Sequence, residues 1–267
     1  MNTKTILITG ATDGIGLLTA ETLLAAGHRV LVHGRRQQKL AQTLAKLGLG
    51  ESEGLLADLA RPEAPQELAN QVRAASDRLD VLINNAGVFS GADNAISYAP
   101  PAGIHTLDSR FIVNTIAPYA LTRALLDHMP EDGRVVNVAS AAQAPVQQAA
   151  LRGERQLSDG EAYAQSKLAI IMWSRQLARE APQMIVSVNP ASMLGSKMVK
   201  QAYGVDGADL GIGADILTRA ALSDEFADAN GKYYDNDSGR FAAPHPAAQD
   251  LEQCARLTEA VQAIVGP

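Results

Sequence analysis

Hydrophobic and polar positions along the chain follow two alternating patterns: short runs rich in β-branched residues, and longer stretches of helical periodicity. The short runs lie at residues 5–9, 29–33, 53–57, 80–83, 134–139 and 185–189. The Ala- and Leu-rich stretches predict helices at 15–26, 37–47, 62–75, 109–128 and 161–180. Strands that alternate with helices are typical of βαβ units, so the sequence predicts an α/β fold with a doubly wound parallel sheet of about seven strands.

No repeat, low-complexity linker or charge run divides the chain before about residue 190, which predicts a single domain over residues 1–267. Beyond Asn189, Gly, Ser, Met and Asp are spread over residues 190–213, before a helix ending at 222, a strand at 232–234 and a terminal helix from about 250. Residues 190–213 are predicted to be a substrate loop or lid, and the polar stretch 143–160 an insertion. Both are expected at the carboxyl edge of the sheet, where open α/β folds bind ligands.

Composition excludes several classes of function. The formal net charge is −6 without a basic block, which argues against a nucleic-acid partner. The single cysteine, Cys254, can form neither an internal disulfide nor a thiolate metal cage, and it indicates a reducing compartment. No apolar run approaches the ~18 residues of a membrane span, and there is no room for a signal peptide before the first strand. The sequence predicts a cytoplasmic protein without a membrane anchor or metal.

A glycine-rich turn follows the first predicted strand. Gly10, Gly14 and Gly16 have the spacing Gly-x3-Gly-x-Gly and run directly into a predicted helix. Gly10 permits a tight turn, while small surfaces at Gly14 and Gly16 let amides at the helix N-terminus approach a pyrophosphate. The motif predicts a dinucleotide site, and three glycines that serve a βα turn without a ligand are the alternative.

The end of the second predicted strand bears on the choice of dinucleotide. An NAD site usually carries Asp or Glu there, whereas this chain has Gly34 followed by Arg35 and Arg36. The missing carboxylate and the added guanidinium groups, which bind phosphate bidentately, both favour NADP(H) over NAD(H). A solvated arginine pair at the start of a helix is the alternative.

Two further strand ends are candidates for contacts with the cofactor. Asp58, after the third strand, is placed either to accept a hydrogen bond from an adenine amino group or to cap a helix. Asn85, Ala86 and Gly87 follow the fourth strand, where small residues let the adenine ribose lie close to the backbone or form an ordinary turn.

Tyr163 and Lys167 are four residues apart in a predicted helix, so both side chains lie on one face. Ser140 ends the fifth strand, and Asn114 lies in the helical segment upstream. A parallel sheet can bring all four to one edge. The alternative is a packed tyrosine, a lysine that reaches solvent and an ordinary serine at a strand end.

In this order, Thr-Gly-x3-Gly-x-Gly, Asn-Asn-Ala-Gly, Asn114, Ser140 and Tyr163-x3-Lys167 resemble the motifs of the short-chain dehydrogenases/reductases, over about residues 1–190. The resemblance implies a Rossmann-type single domain, a nicotinamide cofactor and a catalytic tetrad of Asn114, Ser140, Tyr163 and Lys167. Gly34-Arg35-Arg36, the segments around Asn114 and Lys167, and residues 231–234 resemble the branch of retinol dehydrogenases and WW-domain oxidoreductases.

The resemblance also implies roles for the four residues. Tyr163 exchanges a proton with the substrate oxygen, Ser140 hydrogen-bonds the same oxygen, Lys167 contacts the nicotinamide ribose, and Asn114 fixes a water through its backbone. A phenol has an ordinary pKa of about 10, so the charge of Lys167 is needed to stabilise the phenolate near neutral pH. The residues predicted to contact the cofactor are Gly10, Thr12, Asp13, Gly14, Ile15, Gly16, Arg35, Arg36, Asp58, Leu59, Asn85, Ala86, Gly87, Tyr163, Lys167, Pro190 and Met193.

Two departures from the family pattern concern this site. The Pro-Gly pair usual after the sixth strand is Pro190-Ala191 here, and Gly195 and Ser196 replace a threonine. Both departures fall in the loop that the resemblance places against the nicotinamide. Ser140 precedes Tyr163 by more than the usual dozen or so residues, so the insertion 143–160 is expected to bulge outward for the two hydroxyls to meet.

The predicted function is NADP(H)-dependent transfer of a hydride between the nicotinamide and a carbonyl or alcohol, with reduction expected for NADPH. A nucleotide-binding sensor or scaffold without catalytic activity, and a double-bond reductase, epimerase or dehydratase, are the alternatives. Helices 109–128 and 161–180 resemble dimer faces of the family, so a homo-oligomer is an open prediction.

The substrate is expected to be small and largely apolar, from the composition of the loops predicted to line the pocket. These loops contain Phe89, Tyr98, Met193, Met198 and Tyr203. Lys197 and Lys200 either meet an acid group or are solvated. His105 and His128 have no carboxylate or metal-ligand spacing around them and are interpreted as surface or cap residues.

Overall fold

A sheet of eight strands runs through the part of the chain that this computed structural model describes, namely residues 2–89, 95–98, 105–195, 199–200 and 204–266. The strands of the chain are β1 (Thr5–Ile8), β2 (Arg29–Gly34), β3 (Gly54–Leu56), β4 (Val81–Asn84), β5 (Ala95–Tyr98), β6 (His105–Asp108), β7 (Arg134–Val138), β8 (Met184–Asn189), β9 (Tyr233–Asp235) and β10 (Arg240–Ala242). The order in the sheet is β10-β9-β8-β7-β4-β1-β2-β3, and every pair is parallel except β10 with β9. The predicted doubly wound parallel sheet is confirmed, with an antiparallel edge strand that the sequence pattern did not predict.

Helices cover both faces of the sheet. They are α1 (Gly14–Ala25), α2 (Gln37–Leu47), α3 (Ala64–Ala75), α4 (Ser109–Phe111), α5 (Ala117–Leu125), α6 (Gln148–Leu151), α7 (Asp159–Leu177), α8 (Leu210–Leu222), α9 (Pro246–Gln249) and α10 (Leu251–Val265), with 3-10 turns at Glu51–Glu53, Leu126–His128 and Asp224–Phe226. Side chains alternate between the faces of each strand, so Leu7 and Leu31 pack in one core and Ile6 and Val30 in the other. The first core includes side chains of α3, α5, α7 and α10, and the second includes side chains of α1, α2 and α8.

The segment predicted as one helix over 109–128 contains a π-helical turn at Ile112–Ile116, between α4 and α5. Asn114 lies at the centre of this turn and is 1% exposed. A π turn inserts one residue into the helical repeat and so changes which side chains share a face. Hydrophobic periodicity alone therefore predicts the helix but not the position of Asn114.

The insertion at residues 143–160 only partly bulges outward. Residues 152–156 are exposed, but α6 buries Ala150 and Leu151 in the first core. Gly153 has a φ of +78°, and a Cβ added there would lie 2.1 Å from the carbonyl oxygen of Thr106. The insertion is thus packed against β6, and the expectation of an outward bulge is wrong for α6.

The C-terminal helix α10 lies along α7. It contributes Cys254, Leu257 and Val261 to the core that also contains Leu168 and Trp173. Much of α7, the second helix of the predicted dimer face, is therefore covered within the chain. Self-association stays a prediction.

A buried arginine links three segments that lead to the carboxyl edge of the sheet. Arg110 is 2% exposed; its Nε donates to Oδ1 of Asp108 at 2.7 Å and its Nη2 to Oδ2 of the same carboxylate at 2.5 Å. Its Nη1 forms an ion pair with Asp159, at the start of α7, and donates to the carbonyl of Phe89 at 3.3 Å. Arg110 therefore fixes β6, residue 89 and the start of α7 together.

We expect Arg110→Met to lower the free energy of unfolding by about 3 kcal/mol or more, because it leaves the carboxylate of Asp108, which is only 21% exposed, without its cation. Urea denaturation measures the change. The matched control is Arg152→Met, which breaks an exposed pair with Glu154 and should cost less than about 1 kcal/mol. Equal losses in the two variants would contradict a bracing role for Arg110.

Candidate functional site

The segment that follows β1 contacts the segment that follows β4. Gly10 has a φ of +66°, and a Cβ added there would lie 2.9 Å from Cα of Ala86. The hydroxyl of Thr9 accepts hydrogen bonds from the amides of Asn85 and Ala86, each at 3.0 Å, and Nδ2 of Asn85 donates to the carbonyl of Thr9 at 2.8 Å. Asn85 and Ala86 therefore brace the glycine turn from the neighbouring strand.

Helix α1 begins inside the glycine turn. Asp13 is its N-cap and accepts a hydrogen bond from the amide of Gly14 at 2.9 Å. Among the described residues, no heavy atom beyond the adjacent residues and the backbone of α1 lies within 4 Å of a Cβ added at Gly14, whereas a Cβ at Gly16 would lie 2.4 Å from Nδ2 of Asn85. The turn is thus closely packed at Gly16 and open at Gly14. The first-turn amides, including that of Ile15, have no intrahelical partner, and an N-terminus of this kind fits a pyrophosphate.

The end of β2 has no room for a carboxylate. A Cβ added at Gly34 would lie 2.5 Å from Cγ2 of Thr12, so an Asp or Glu there would force the side chain of Thr12 in the glycine turn to move. Arg35 and Arg36 are both exposed beside this turn. Lys39 follows one helical turn later, and its Nζ lies 2.6 Å from Oδ2 of Asp13. Sequence reasoning missed Lys39, which lies in the first turn of α2.

The segment after β3 contains Asp58 and Leu59, two residues predicted to contact the cofactor. Oδ1 of Asp58 accepts a hydrogen bond from the amide of Ala60 at 3.1 Å, while α3 begins only at Ala64, with Glu63 as its N-cap. The alternative that Asp58 caps a helix is wrong, because the carboxylate closes a local turn instead. Leu59 is 5% exposed and packs in the first core, so only its backbone is available to a ligand.

Asn114 is held between the chain leaving β4 and helix α7. Its Oδ1 accepts from the amide of Val88 at 2.8 Å, and its Nδ2 donates to the carbonyl of Val88 and to the hydroxyl of Ser166, each at 3.0 Å. The hydroxyl of Ser166 donates to the carbonyl of Tyr163 at 2.7 Å. The side chain of Asn114 is therefore committed to positioning the backbone at residues 88 and 163.

Lys167 lies at the centre of the site and is 4% exposed. Its Nζ donates to the carbonyl of Val138 at 2.6 Å and lies 5.7 Å from the ring centroid of Tyr163. Burial lowers the pKa of Lys167 to about 8, so the ammonium form still dominates at neutral pH. A Cβ added at Gly87 would lie 3.4 Å from Oδ1 of Asn114 and 3.7 Å from Nζ of Lys167, and thus Gly87, Asn114 and Lys167 converge.

Ser140 follows β7, two residues after the carbonyl that binds Lys167. Its hydroxyl accepts from the amide of Ala142 at 3.1 Å, and its carbonyl accepts from Nε2 of Gln143 at 3.1 Å and from the hydroxyl of Tyr233 at 3.2 Å. Burial raises the pKa of Tyr233, which therefore remains a donor. Sequence reasoning noted Tyr233 only as part of a motif and missed its contact with Ser140.

The residues predicted to line the pocket have different surroundings in the structure. Phe89 packs against Tyr163 with ring centroids 5.0 Å apart, and Met193 is 43% exposed. Tyr98 is 2% exposed and packs in the first core, so its assignment to the pocket wall is wrong. Lys200 forms an exposed ion pair with Asp206 at 2.9 Å, as expected of a solvated lysine. Ser196, Lys197, Met198 and Tyr203 lie outside the described residues.

The loop after β8 has a strained residue where the family pattern has glycine. Ala191 has a φ of 123°. Asp237 holds this loop: its carboxylate accepts from the amide of Ser192 at 2.8 Å, from its hydroxyl at 2.5 Å and from Nδ2 of Asn189 at 2.9 Å. The carbonyl of Pro190 accepts from Nδ2 of Asn236 at 3.0 Å. The turn between β9 and β10 therefore fixes residues 189–192 despite the unfavourable φ.

Outside this site, several polar groups of the described chain already have partners within the chain. A concavity of about 500 Å³ at the amino edge of the sheet is lined by Thr5, Arg29 and Asp80, and the carboxylate of Asp80 is bound by Thr5 and Arg78. The ring of His128 bonds to the carbonyl of Ser76, and the side chain of His105 is outside the described atoms. The described residues contain no cluster of three or more His, Cys, Asp or Glu suited to a metal, and no helix with the length and hydropathy of a membrane span.

Comparison with known proteins confirms the resemblance found in the sequence. A family model described as short chain dehydrogenase matches residues 4–203. Human retinol dehydrogenase 13 is 29% identical to this chain in an alignment 290 residues long. The alignment covers 98% of this chain and 85% of that protein.

Solved structures show the same fold. A crystal structure of an uncharacterised protein from Mycobacterium paratuberculosis covers 98% of this chain and 93% of its own, with a TM-score of 0.78 and 25% identity. The crystal structure of a short chain dehydrogenase from Escherichia coli CFT073, complexed with NADPH, matches with a TM-score of 0.67 and 26% identity. The match covers 88% of this chain and 97% of that chain. The landomycin C-6 ketoreductase LanV, with bound NADP and rabelomycin, matches with a TM-score of 0.63 and 25% identity. The match covers 87% of this chain and 94% of that chain.

We expect Ala191→Gly to raise the free energy of unfolding by about 1 kcal/mol, because glycine adopts a positive φ without the strain imposed by a Cβ. The control is Ala74→Gly on the exposed side of α3, where the same substitution should cost about 1 kcal/mol. Chemical denaturation of both variants gives the sign of each change in the free energy of unfolding. A loss of stability in Ala191→Gly as large as that in Ala74→Gly would contradict the strain at residue 191.

Proposed function

For this chain, which belongs to the short chain dehydrogenase family of oxidoreductases, we propose the NADP(H)-dependent interconversion of a carbonyl group and an alcohol on a small, largely apolar substrate. The observation that carries the proposal is the position of Lys167. Its buried ammonium lies 5.7 Å from the ring centroid of Tyr163 and beside Gly87, which directly follows the residues that brace the glycine turn. A cation at this position favours the phenolate form of a tyrosine.

The residues of the carboxyl edge fit a dinucleotide with a 2′-phosphate. The open surface at Gly14 and the N-terminus of α1 suit the pyrophosphate, with Gly10, Thr12, Asp13, Ile15 and Gly16 shaping the turn. Arg35 and Arg36 are exposed beside a position that has no room for an acid, and Lys39 adds a third cation. The NADPH and NADP complexes of related structures support the same cofactor. Asp58, Leu59, Asn85, Ala86, Pro190 and Met193 complete the set of proposed contacts.

The proposed proton transfer takes place at the hydroxyl of Tyr163. NADPH supplies the hydride when it is bound. Tyr163 gives its proton to the carbonyl oxygen as the alcohol forms, and Lys167 stabilises the resulting phenolate. Ser140 donates a hydrogen bond to the same oxygen, since its hydroxyl accepts rather than donates in its bond with Ala142. Asn114 acts through its backbone, because its side chain already binds Val88 and Ser166.

The apolar surface at Phe89 and Met193 supports a largely apolar substrate. The ketoreductase LanV, with its bound rabelomycin, supports a ketone as one member of this class. In this proposal, residues 190–213 form the substrate loop of a single domain and 143–160 form a second wall. The buried, unpaired Cys254 supports a reducing compartment such as the cytoplasm.

The experiment follows the absorbance of reduced nicotinamide with a panel of aliphatic and aromatic aldehydes and ketones. We expect Tyr163→Phe to lower kcat by about 100-fold or more while NADPH still binds, because the proton donor is lost. The matched control is Tyr234→Phe, which removes a hydroxyl bound to Arg219 away from the site and should leave kcat within about threefold of wild type. Activity of Tyr163→Phe within tenfold of wild type would sink the assignment.

The double variant Arg35→Ser/Arg36→Ser should weaken NADPH binding by about tenfold to 100-fold and leave NADH binding nearly unchanged, because only NADPH carries the 2′-phosphate. Quenching of intrinsic fluorescence gives both dissociation constants. Arg256→Ser, on α10, is the control for a general change in charge. Tighter binding of NADH than NADPH by the wild-type protein, or equal weakening of both, would overturn the preference.

A further inference from the structure

His33 is the one polar side chain among the buried apolar residues of β2 that lies next to the glycine turn. It is 2% exposed and follows Val30, Leu31 and Val32, which are fully buried. Strand β2 lies between β1 and β3 in the sheet. A buried imidazole at this position is unfavourable unless both ring nitrogens are hydrogen-bonded.

Both ring nitrogens of His33 bind backbone groups on the neighbouring strands. Nδ1 accepts a hydrogen bond from the amide of Gly10 at 3.1 Å, and Nε2 lies 3.0 Å from the carbonyl of Ala57. A carbonyl can only accept and the amide can only donate, so Nε2 carries the proton and Nδ1 carries the lone pair. Burial lowers the pKa of His33 to about 4, which keeps this neutral tautomer at physiological pH.

The two backbone groups bound by His33 begin the two segments proposed to hold the nucleotide. Gly10 is the first glycine of the turn, and Ala57 directly precedes Asp58 and Leu59. Main-chain bonds reinforce each side: the amide of Ala11 donates to the carbonyl of His33 at 3.0 Å, and the amide of Ala57 to the carbonyl of Gly34 at 3.2 Å. The ring therefore sets the spacing between the turn and the segment after β3.

We propose that His33 is a positioning residue for the dinucleotide, whose imidazole fixes the phosphate turn and the adenine-side segment at the separation that the cofactor requires. This inference rests on the proposed NADP(H) function. A leucine fills a similar volume but leaves the amide of Gly10 and the carbonyl of Ala57 without a partner. The loss then falls on nucleotide binding rather than on the transfer chemistry at Tyr163.

The test compares His33→Leu, His33→Asn and the control His28→Leu. His28 is also buried, at 8% exposure, and its Nδ1 accepts from the amide of Lys4 at 3.2 Å, but it lies just before β2, at the opposite edge of the sheet. Fluorescence quenching gives the dissociation constant for NADPH, steady-state turnover gives kcat at saturating NADPH, and thermal unfolding gives stability.

We expect His33→Leu to weaken NADPH binding by about tenfold to 100-fold, with kcat within about threefold of wild type. His33→Asn should recover much of the affinity, because an asparagine oxygen occupies the position of Nδ1 and accepts from Gly10. His28→Leu should lower Tm without changing NADPH affinity.

Unchanged affinity in His33→Leu, or equal weakening in His28→Leu, would overturn the inference while leaving the proposed function in place. Absence of NADPH binding by the wild-type protein would overturn both. If His33→Leu does not fold, His33→Gln replaces it, since its amide reaches the position of Nε2 and leaves Gly10 without an acceptor. An asparagine variant that binds NADPH no more tightly than the glutamine variant would then contradict the proposal.

Discussion

The close approach of the chain leaving β1 to the chain leaving β4 is the constraint on which the site depends. Gly10 touches Ala86, and Asn85 hydrogen-bonds to Thr9, so each strand end constrains the path of the other. The next residue, Gly87, lies beside Asn114 and Lys167. Three consecutive residues thus connect the glycine turn to the Tyr163 helix, and a shift in either half is transmitted to the other.

Much of the fold could be predicted from periodicity, because strands repeat every two residues and helices every 3.6. Helix α2 has the predicted bounds, and β1, β2 and β7 begin at the predicted residues. The antiparallel pairing of β5 with β6 in a separate two-stranded sheet was missed, because these strands are four residues each and lack a clear apolar alternation. The π turn at Asn114 was missed because one inserted residue barely alters the pattern of a helix that is buried on several sides.

The residues of the candidate site could be predicted from the sequence, whereas most of their hydrogen-bond partners could not. Tyr163 and Lys167 share a helix, so their spacing was informative. The partner of Lys167 is a backbone carbonyl at Val138, and Ser140 is bound by a tyrosine hydroxyl 93 residues away in the chain. Such partners depend on how strands are ordered in the sheet, which local patterns do not encode. Tyr98 shows the converse, because its position in a loop suggested a pocket wall while its side chain packs in the core.

The packing of α10 along α7 has a consequence for how the protein is made. The helix that carries Tyr163 and Lys167 ends at residue 177, and residues 251–265 pack along it. Because synthesis runs from the N-terminus to the C-terminus, the first strands and the glycine turn can assemble while α7 still exposes the apolar side chains that later pack against residues 251–265. Helix α10 therefore completes the core behind the candidate site only after the segment that carries the site has been made.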